Sequence, residues 1–119
     1  MGEASIGLVL DCADPEALGR FWARALGLED LGTIGNYVVL VSSSGALPRF
    51  LLQRVHEAKA VKNRMHLDIE TPDVEGEVNR LEALGARRLE ADARSEHGFS
   101  WMVMADPEGN EFCVCAAGS

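Results

Sequence analysis

The chain has 119 residues, 47% apolar and 25% charged, the balance of one ordinary globular domain able to bury roughly two-thirds of the surface its unfolded form exposes. Nineteen Asp and Glu against eleven Lys and Arg leave a formal charge of −8. That field repels a polyphosphate backbone, so no nucleic-acid partner is expected.

The longest apolar runs, such as Tyr37 to Val41, fall far below the roughly 18 residues that cross a bilayer, so no membrane partner is expected. Met-Gly-Glu-Ala-Ser at the N-terminus lacks the cationic start and apolar stretch of a secretion signal, which makes cytoplasmic the expected location. Cys12, Cys113 and Cys115 are an odd number without zinc-finger spacing and read as free thiols. Cys12 and Cys115 read as small buried hydrophobes.

In chain order, a first strand alternates over residues 8–12. Asp14 then caps a helix, because its short side-chain oxygen can accept from the free amides of the first turn. Pro15 takes the first helical position, where a missing N–H costs nothing. Leu18, Phe21, Trp22 and Leu26 form the apolar stripe, which places Trp22 in the core, and Gly27 supplies the positive φ that ends the helix. Extended segments follow near residues 28–34, 37–41 and 50–55, the last two separated by the turn-rich 42–48.

The pattern then repeats. Residues 8–27 line up with residues 67–85, with one residue of slack in the helix. A strand over 66–70 leads to the cap Asp73, a narrower stripe of Val78, Leu81 and Leu84, and the stop at Gly85. Strands near 87–91, 99–105 and 111–115 complete the second half, and Asp106-Pro-Glu-Gly-Asn110 suits a tight hairpin turn. The class is α+β, two tandem βαβββ modules of about 5–56 and 64–116. The polar, basic residues 54–64 join them inside one domain spanning 1–119, since neither half could bury its own sheet face alone.

Strand parity yields candidate site residues. Leu67 and Ile69 must face a helix, which leaves His66, Asp68 and Glu70 on the opposite face. By the same parity Gly7, Val9 and Asp11 share a face, as do Glu111 and Cys113, and Leu51 and Gln53. For Asp11 and Glu70, near strand ends, a solvated and a functional role both stand. His56 and His97 read as surface residues. Between Phe99 with Trp101 and Met102 with Met104, either alternating set could line a cleft while the other serves the core.

The two βαβββ halves, the Asp-Pro helix start, the Arg64-Met-His-Leu-Asp68 run and the Asp106-Pro-Glu-Gly-Asn-Glu-Phe-Cys113 ending resemble the glyoxalase-like branch of the vicinal oxygen chelate superfamily. That superfamily also contains glyoxalase I, bleomycin-resistance proteins and extradiol dioxygenases. The resemblance implies a curled mixed sheet with a concave cleft, and a metal or substrate held by residues from four strands. Its ligand positions fall on Gly7, on or near Gln53, on His66 and on Cys113. Ni²⁺, Mn²⁺ or Fe²⁺ would be expected among imidazole and carboxylate donors. An amide, one imidazole and one thiol lack the charge to offset dehydration of such an ion, although imidazole and thiolate suit Zn²⁺.

The resulting expectation is a protein that binds a small organic ligand in the cleft without a tightly held metal. His66 and Glu111, which the resemblance puts at cleft positions, are its candidate catalytic residues, a buried His66 beside Glu111 making an acid–base pair that needs no metal. Gln53, Asp68 and Cys113 are its candidate ligand-binding residues. A divalent metal ion, if present, would be held by His66, Gln53 and Cys113. The alternatives are a divalent-metal-dependent lyase, isomerase or dioxygenase of the glyoxalase type, or a dimeric accessory module with a vestigial cleft. A homodimer is expected, twofold pairing being the commonest assembly.

Overall fold

The computed structural model describes residues 5–116. Residues 1–4, on which the reading of the N-terminus rests, lie outside that range. The chain divides at Ala58/Lys59 into two compact units, each built on its own sheet.

The first unit runs β1 (Leu8–Cys12), α1 (Pro15–Leu26), β2 (Glu29–Ile34), β3 (Tyr37–Val41) and β4 (Phe50–Arg54). Its start and stop signals act as their chemistry dictates. Asp14 Oδ1 accepts from the Ala17 N–H at 3.2 Å, and Gly27 leaves the helix at φ 66°, a conformation that a Cβ would oppose. Leu18, Phe21, Trp22 and Ala25 are buried, with Trp22 edge-on to Phe21 at 5.1 Å and 5.7 Å from Phe50. Trp22 is therefore a core residue, as its place on the stripe implies.

The strand order is β1-β4-β3-β2. β1 runs parallel to β4, with Asp11 opposite Gln53, while β2, β3 and β4 form an antiparallel meander. Cys12, Val38, Leu40, Phe50 and Leu52 are buried, whereas Val9 is exposed, the alternation expected of a sheet with one face against a helix. Gly19 of α1 packs against the sheet: a Cβ there would stand 2.9 Å from Val38 Cγ1.

The second unit comprises β5 (Asp68–Thr71), α2 (Val74–Leu84), β6 (Arg87–Arg88), β7 (Arg94–Glu96), β8 (Phe99–Ala105) and β9 (Glu111–Ala116). Asp73 Oδ1 accepts from the Gly76 N–H at 3.0 Å, and Gly85 ends the helix at φ 119°. The sheet order is β5-β9-β8-β6, with β7 also on β8. β5 runs parallel to β9, and β8 is antiparallel to its neighbours. Val78, Leu81, Met102, Met104, Phe112 and Val114 form the core.

The α+β class and the tandem βαβββ order are present, each sheet mixing parallel and antiparallel pairs. Two details differ from the sequence reading. The strand expected over 66–70 is regular only from Asp68, although Cys113 still donates its N–H to the Leu67 carbonyl at 2.9 Å. Of the strand expected near 87–91 only β6 is regular, and a second short piece not expected from the sequence, β7, follows it, both on β8. The second piece exists because His97 and Gly98 both take positive φ, 53° and 82°, and join Glu96 to Phe99 as a two-residue hairpin of the kind that matches strand twist. No helix among the described residues is long and apolar enough to cross a membrane.

Candidate ligand groove

Three adjacent strands of the second unit, β5, β9 and β8, present three chemically distinct columns on the face away from α2. Paired residues on neighbouring strands point to the same side. Asp68 stands opposite Cys113 and Glu70 opposite Cys115, while Trp101 pairs with Cys115 and Val103 with Cys113. The sheet face thus carries a row Glu70–Cys115–Trp101 beside a row Asp68–Cys113–Val103. Over it lies an open groove of about 640 Å³, edged by His66 and the carboxylates on one side, floored by the thiols, and edged by Phe99 and Trp101 on the other.

The choice between the two apolar sets of β8 is settled here. Met102 and Met104 are buried, so Phe99 and Trp101 face the groove. Sequence pattern could not decide this, because both alternating sets are apolar.

His66 Nδ1 lies 3.3 Å from Asp68 Oδ1, and both side chains reach solvent, at 39% and 54% exposure. His66 is thus neither buried nor partnered by Glu111: its carboxylate neighbour is Asp68, two residues on. Glu111 has a different role. Its Oε1 accepts the Asn63 backbone N–H at 2.9 Å, and its Oε2 accepts from Lys59 Nζ at 3.2 Å. The Asn63 N–H, with lesser help from Lys59, holds the Glu111 carboxyl below its usual range against the opposing effect of burial. The irregular segment before β5 needs an acceptor for that amide, and the first residue of β9 supplies it.

Burial pushes the Cys113 thiol up, and Asp68 and Cys115 add to this, with Lys62 and Arg94 opposing. Cys115 is also pushed up, first by burial and then by Asp68 and Glu70. Both thiols stay protonated at neutral pH, which makes them poor nucleophiles as they stand.

Gln53 and Gly7 belong to the first unit. Gln53 is half-buried on β4, between Asp11 on β1 and Tyr37 on β3, and its carbonyl accepts from Cys12 Sγ at 3.6 Å. Gly7 offers no donor, and a Cβ there would stand 3.3 Å from Arg49 Nη2. A guanidinium beside an empty ligand position opposes a divalent cation. The four positions implied by the resemblance therefore do not fit the family's hard divalent ion. A different set does converge: one donor atom each from His66, Asp68 and Cys113, all within 4.8 Å of one another. Nitrogen, oxygen and sulfur donors are those that Zn²⁺ accepts.

Residues 7–115 match the family model described as a glyoxalase-like domain. The search of curated proteins finds no match. Among solved structures, a glyoxalase/bleomycin resistance protein/dioxygenase family enzyme from Burkholderia phytofirmans PsJN is similar at TM-score 0.76 and 16% identity, over 93% of this chain and 96% of that one. The genomically encoded fosfomycin resistance protein FosX from Listeria monocytogenes is similar at TM-score 0.76 and 13% identity, over 99% and 96% of the two chains. A glyoxalase-related enzyme from Fulvimarina pelagi reaches TM-score 0.70 at 19% identity, over 94% and 87%. At such identities the likeness is one of fold.

Proposed function

The chain belongs to the glyoxalase-like domain family of the vicinal oxygen chelate superfamily, and from that premise we propose that it binds a small organic ligand in the groove of its second unit, without a tightly held metal. The observation that carries the reading is the pair Phe99 and Trp101 turned to the groove while the methionines of the same strand take the core. Phe99 is 49% exposed. Aromatic surface left open beside a few convergent polar groups is the usual make-up of a ligand site. His66 would give or take a proton at its ring nitrogen, and Asp68 would orient the ring. Glu111 would act on the site through the segment that it anchors. Cys113 would contact the ligand from the floor, and the protein would work as a homodimer.

The test is a small-molecule screen read by the backbone amide shifts of β8 and β9, repeated with Trp101→Ala. Compounds that move those amides in the wild type and fail to do so in the variant support the reading. Compounds that bind equally well to both refute it.

A divalent-metal-dependent enzyme of the glyoxalase type is the second reading, favoured by the convergence of His66, Asp68 and Cys113. Stoichiometric metal in protein purified without chelator, lost in both His66→Ala and Cys113→Ser, would establish it over the first. Metal content unchanged in His66→Ala would remove it.

A further inference from the structure

The columns of the groove differ in charge as well as in shape, and the difference specifies a class of ligand. On β5, Asp68 Oδ1 lies 3.3 Å from His66 Nδ1. Glu70, next on that face, is exposed and has neither a hydrogen bond nor an ion pair among the described residues. Across the row, beyond Cys115, stands Trp101, with Phe99 beside it on the same face. Adjacent strands lie roughly 4.8 Å apart, so Glu70 and Trp101 are separated by about 10 Å at the backbone.

Among the described residues no cation makes an ion pair or hydrogen bond with Glu70 at the acidic end of this row. Lys62 and Arg94 act near Cys113. The row does continue from Trp101 to Arg94 on β7, but that guanidinium is taken up by Glu90, whose two oxygens lie 2.8 and 3.0 Å from Arg94 Nε. The floor between acid and ring is made of the side chains of Cys113 and Cys115, polarizable and small enough to leave room for a flat ring.

We propose that the groove takes a flat aromatic cation, its ring on Trp101 and Phe99 and its ammonium or equivalent charge at Glu70 with Asp68 behind. Both ends of the groove favour this class. A π-face attracts a cation as well as an apolar ring, and a carboxylate with no cation of its own attracts it further. The same features disfavour an anion, which would face two carboxylates in a chain of net charge −8. The inference rests on the ligand-groove reading above and narrows it to one class of occupant.

Three probes with the same ring isolate the charge: 1-naphthylmethylammonium, 1-naphthalenemethanol and 1-naphthoate. Each is titrated into the full chain by calorimetry and by amide shifts of β8 and β9. The expected order is ammonium tighter than alcohol by about tenfold, with naphthoate weakest, and the gap narrowing as salt is raised. Glu70→Gln should bring the ammonium close to the affinity of the alcohol and leave the alcohol unchanged, whereas Trp101→Ala should weaken both. Amide spectra of the variants report their folding independently.

Alcohol or naphthoate binding as tightly as the ammonium would overturn the charge assignment and leave the groove reading intact. Ammonium binding unchanged in Glu70→Gln would overturn the assignment in the same way. No shift of any β8 or β9 amide by any of the three at millimolar concentration would overturn both.

Discussion

Asn63 donates its backbone N–H to Glu111 at 2.9 Å, and this bond ties the irregular segment that carries His66 to the first residue of β9. The Glu111 side chain is only 16% exposed, so the bond is sheltered and charge-assisted. Glu111→Ala should destabilise the protein by about 1.5–3 kcal/mol in urea titrations. It should also speed amide exchange at Asn63 ahead of the rest of the second unit.

The same carboxyl sets part of the acid limit of stability. Its folded pKa lies below the ordinary 4.5, so as pH falls the unfolded chain takes up the proton first. The stabilisation is fully present above the unfolded value and is lost as pH drops through the lower folded one. A Tm series from about pH 6 to about pH 3 should fall less steeply in Glu111→Gln than in the wild type, because the glutamine has no proton to gain. Equal slopes in the two proteins would show that Glu111 makes no such contribution.

The turn between β8 and β9 depends on a buried carboxylate. Asp106, 1% exposed, accepts the Glu108 and Asn110 backbone N–H groups, both at 2.9 Å, and both its oxygens accept from Asn110 Nδ2. Asp106→Ala would strand the amide of Asn110, which is 6% exposed. The expected cost is about 2–3 kcal/mol or more, read as a shift of the urea midpoint. Asp106→Asn should cost less, because it keeps one acceptor oxygen.

What was legible beforehand follows from where each signal is written. Asp14 with Gly27 and Asp73 with Gly85 act within one turn of their own helices, so both helices could be located from local chemistry. Leu67 and Ile69 left no alternative to placing His66, Asp68 and Glu70 on the other face. Phe99, Trp101, Met102 and Met104 carried no such asymmetry, because both faces of β8 are apolar and only the docking of α2 decides between them. The His97–Gly98 turn was a missed local signal, a glycine in a two-residue hairpin. The partner of Glu111 was not legible at all: it is a backbone amide in an irregular segment, and any residue supplies one. The pairing of His66 with Asp68 is written in their spacing, since i and i+2 share a strand face, whereas a pairing of His66 with Glu111 rests on the family resemblance and on nothing local to either residue.

Gly19 stands in the middle of α1, where alanine would ordinarily add up to about 1 kcal/mol of stability. The reverse is expected here. An added Cβ would lie 2.9 Å from Val38 Cγ1, and Val38 is itself 2% exposed in the core, with no room to retreat. Gly19→Ala should therefore destabilise by about 1–3 kcal/mol. In a double-mutant cycle with Val38→Ala the two changes should cost less together than the sum of the single changes, since the smaller side chain frees the space. A strictly additive result would show that no such clash exists.

Cys113 offers a direct reading of the electrostatics of the groove floor. Its thiol is held above the ordinary 9.0 by burial first and then by the charge of Asp68 and by Cys115, while Lys62 and Arg94 pull the other way. Alkylation by iodoacetamide proceeds through the thiolate, so its rate against pH should rise with a midpoint above 9.0 and be slow at neutral pH. Asp68→Asn removes the largest negative neighbour and should shift that midpoint down, whereas Glu111→Gln should leave it in place, because Glu111 is not among the groups that act on this thiol. Mass spectrometry of the labelled peptides separates Cys113 from Cys115, whose thiol feels Glu70 as well. Fast labelling of Cys113 at neutral pH in the wild type would mean that the thiolate is stabilised on this sheet face.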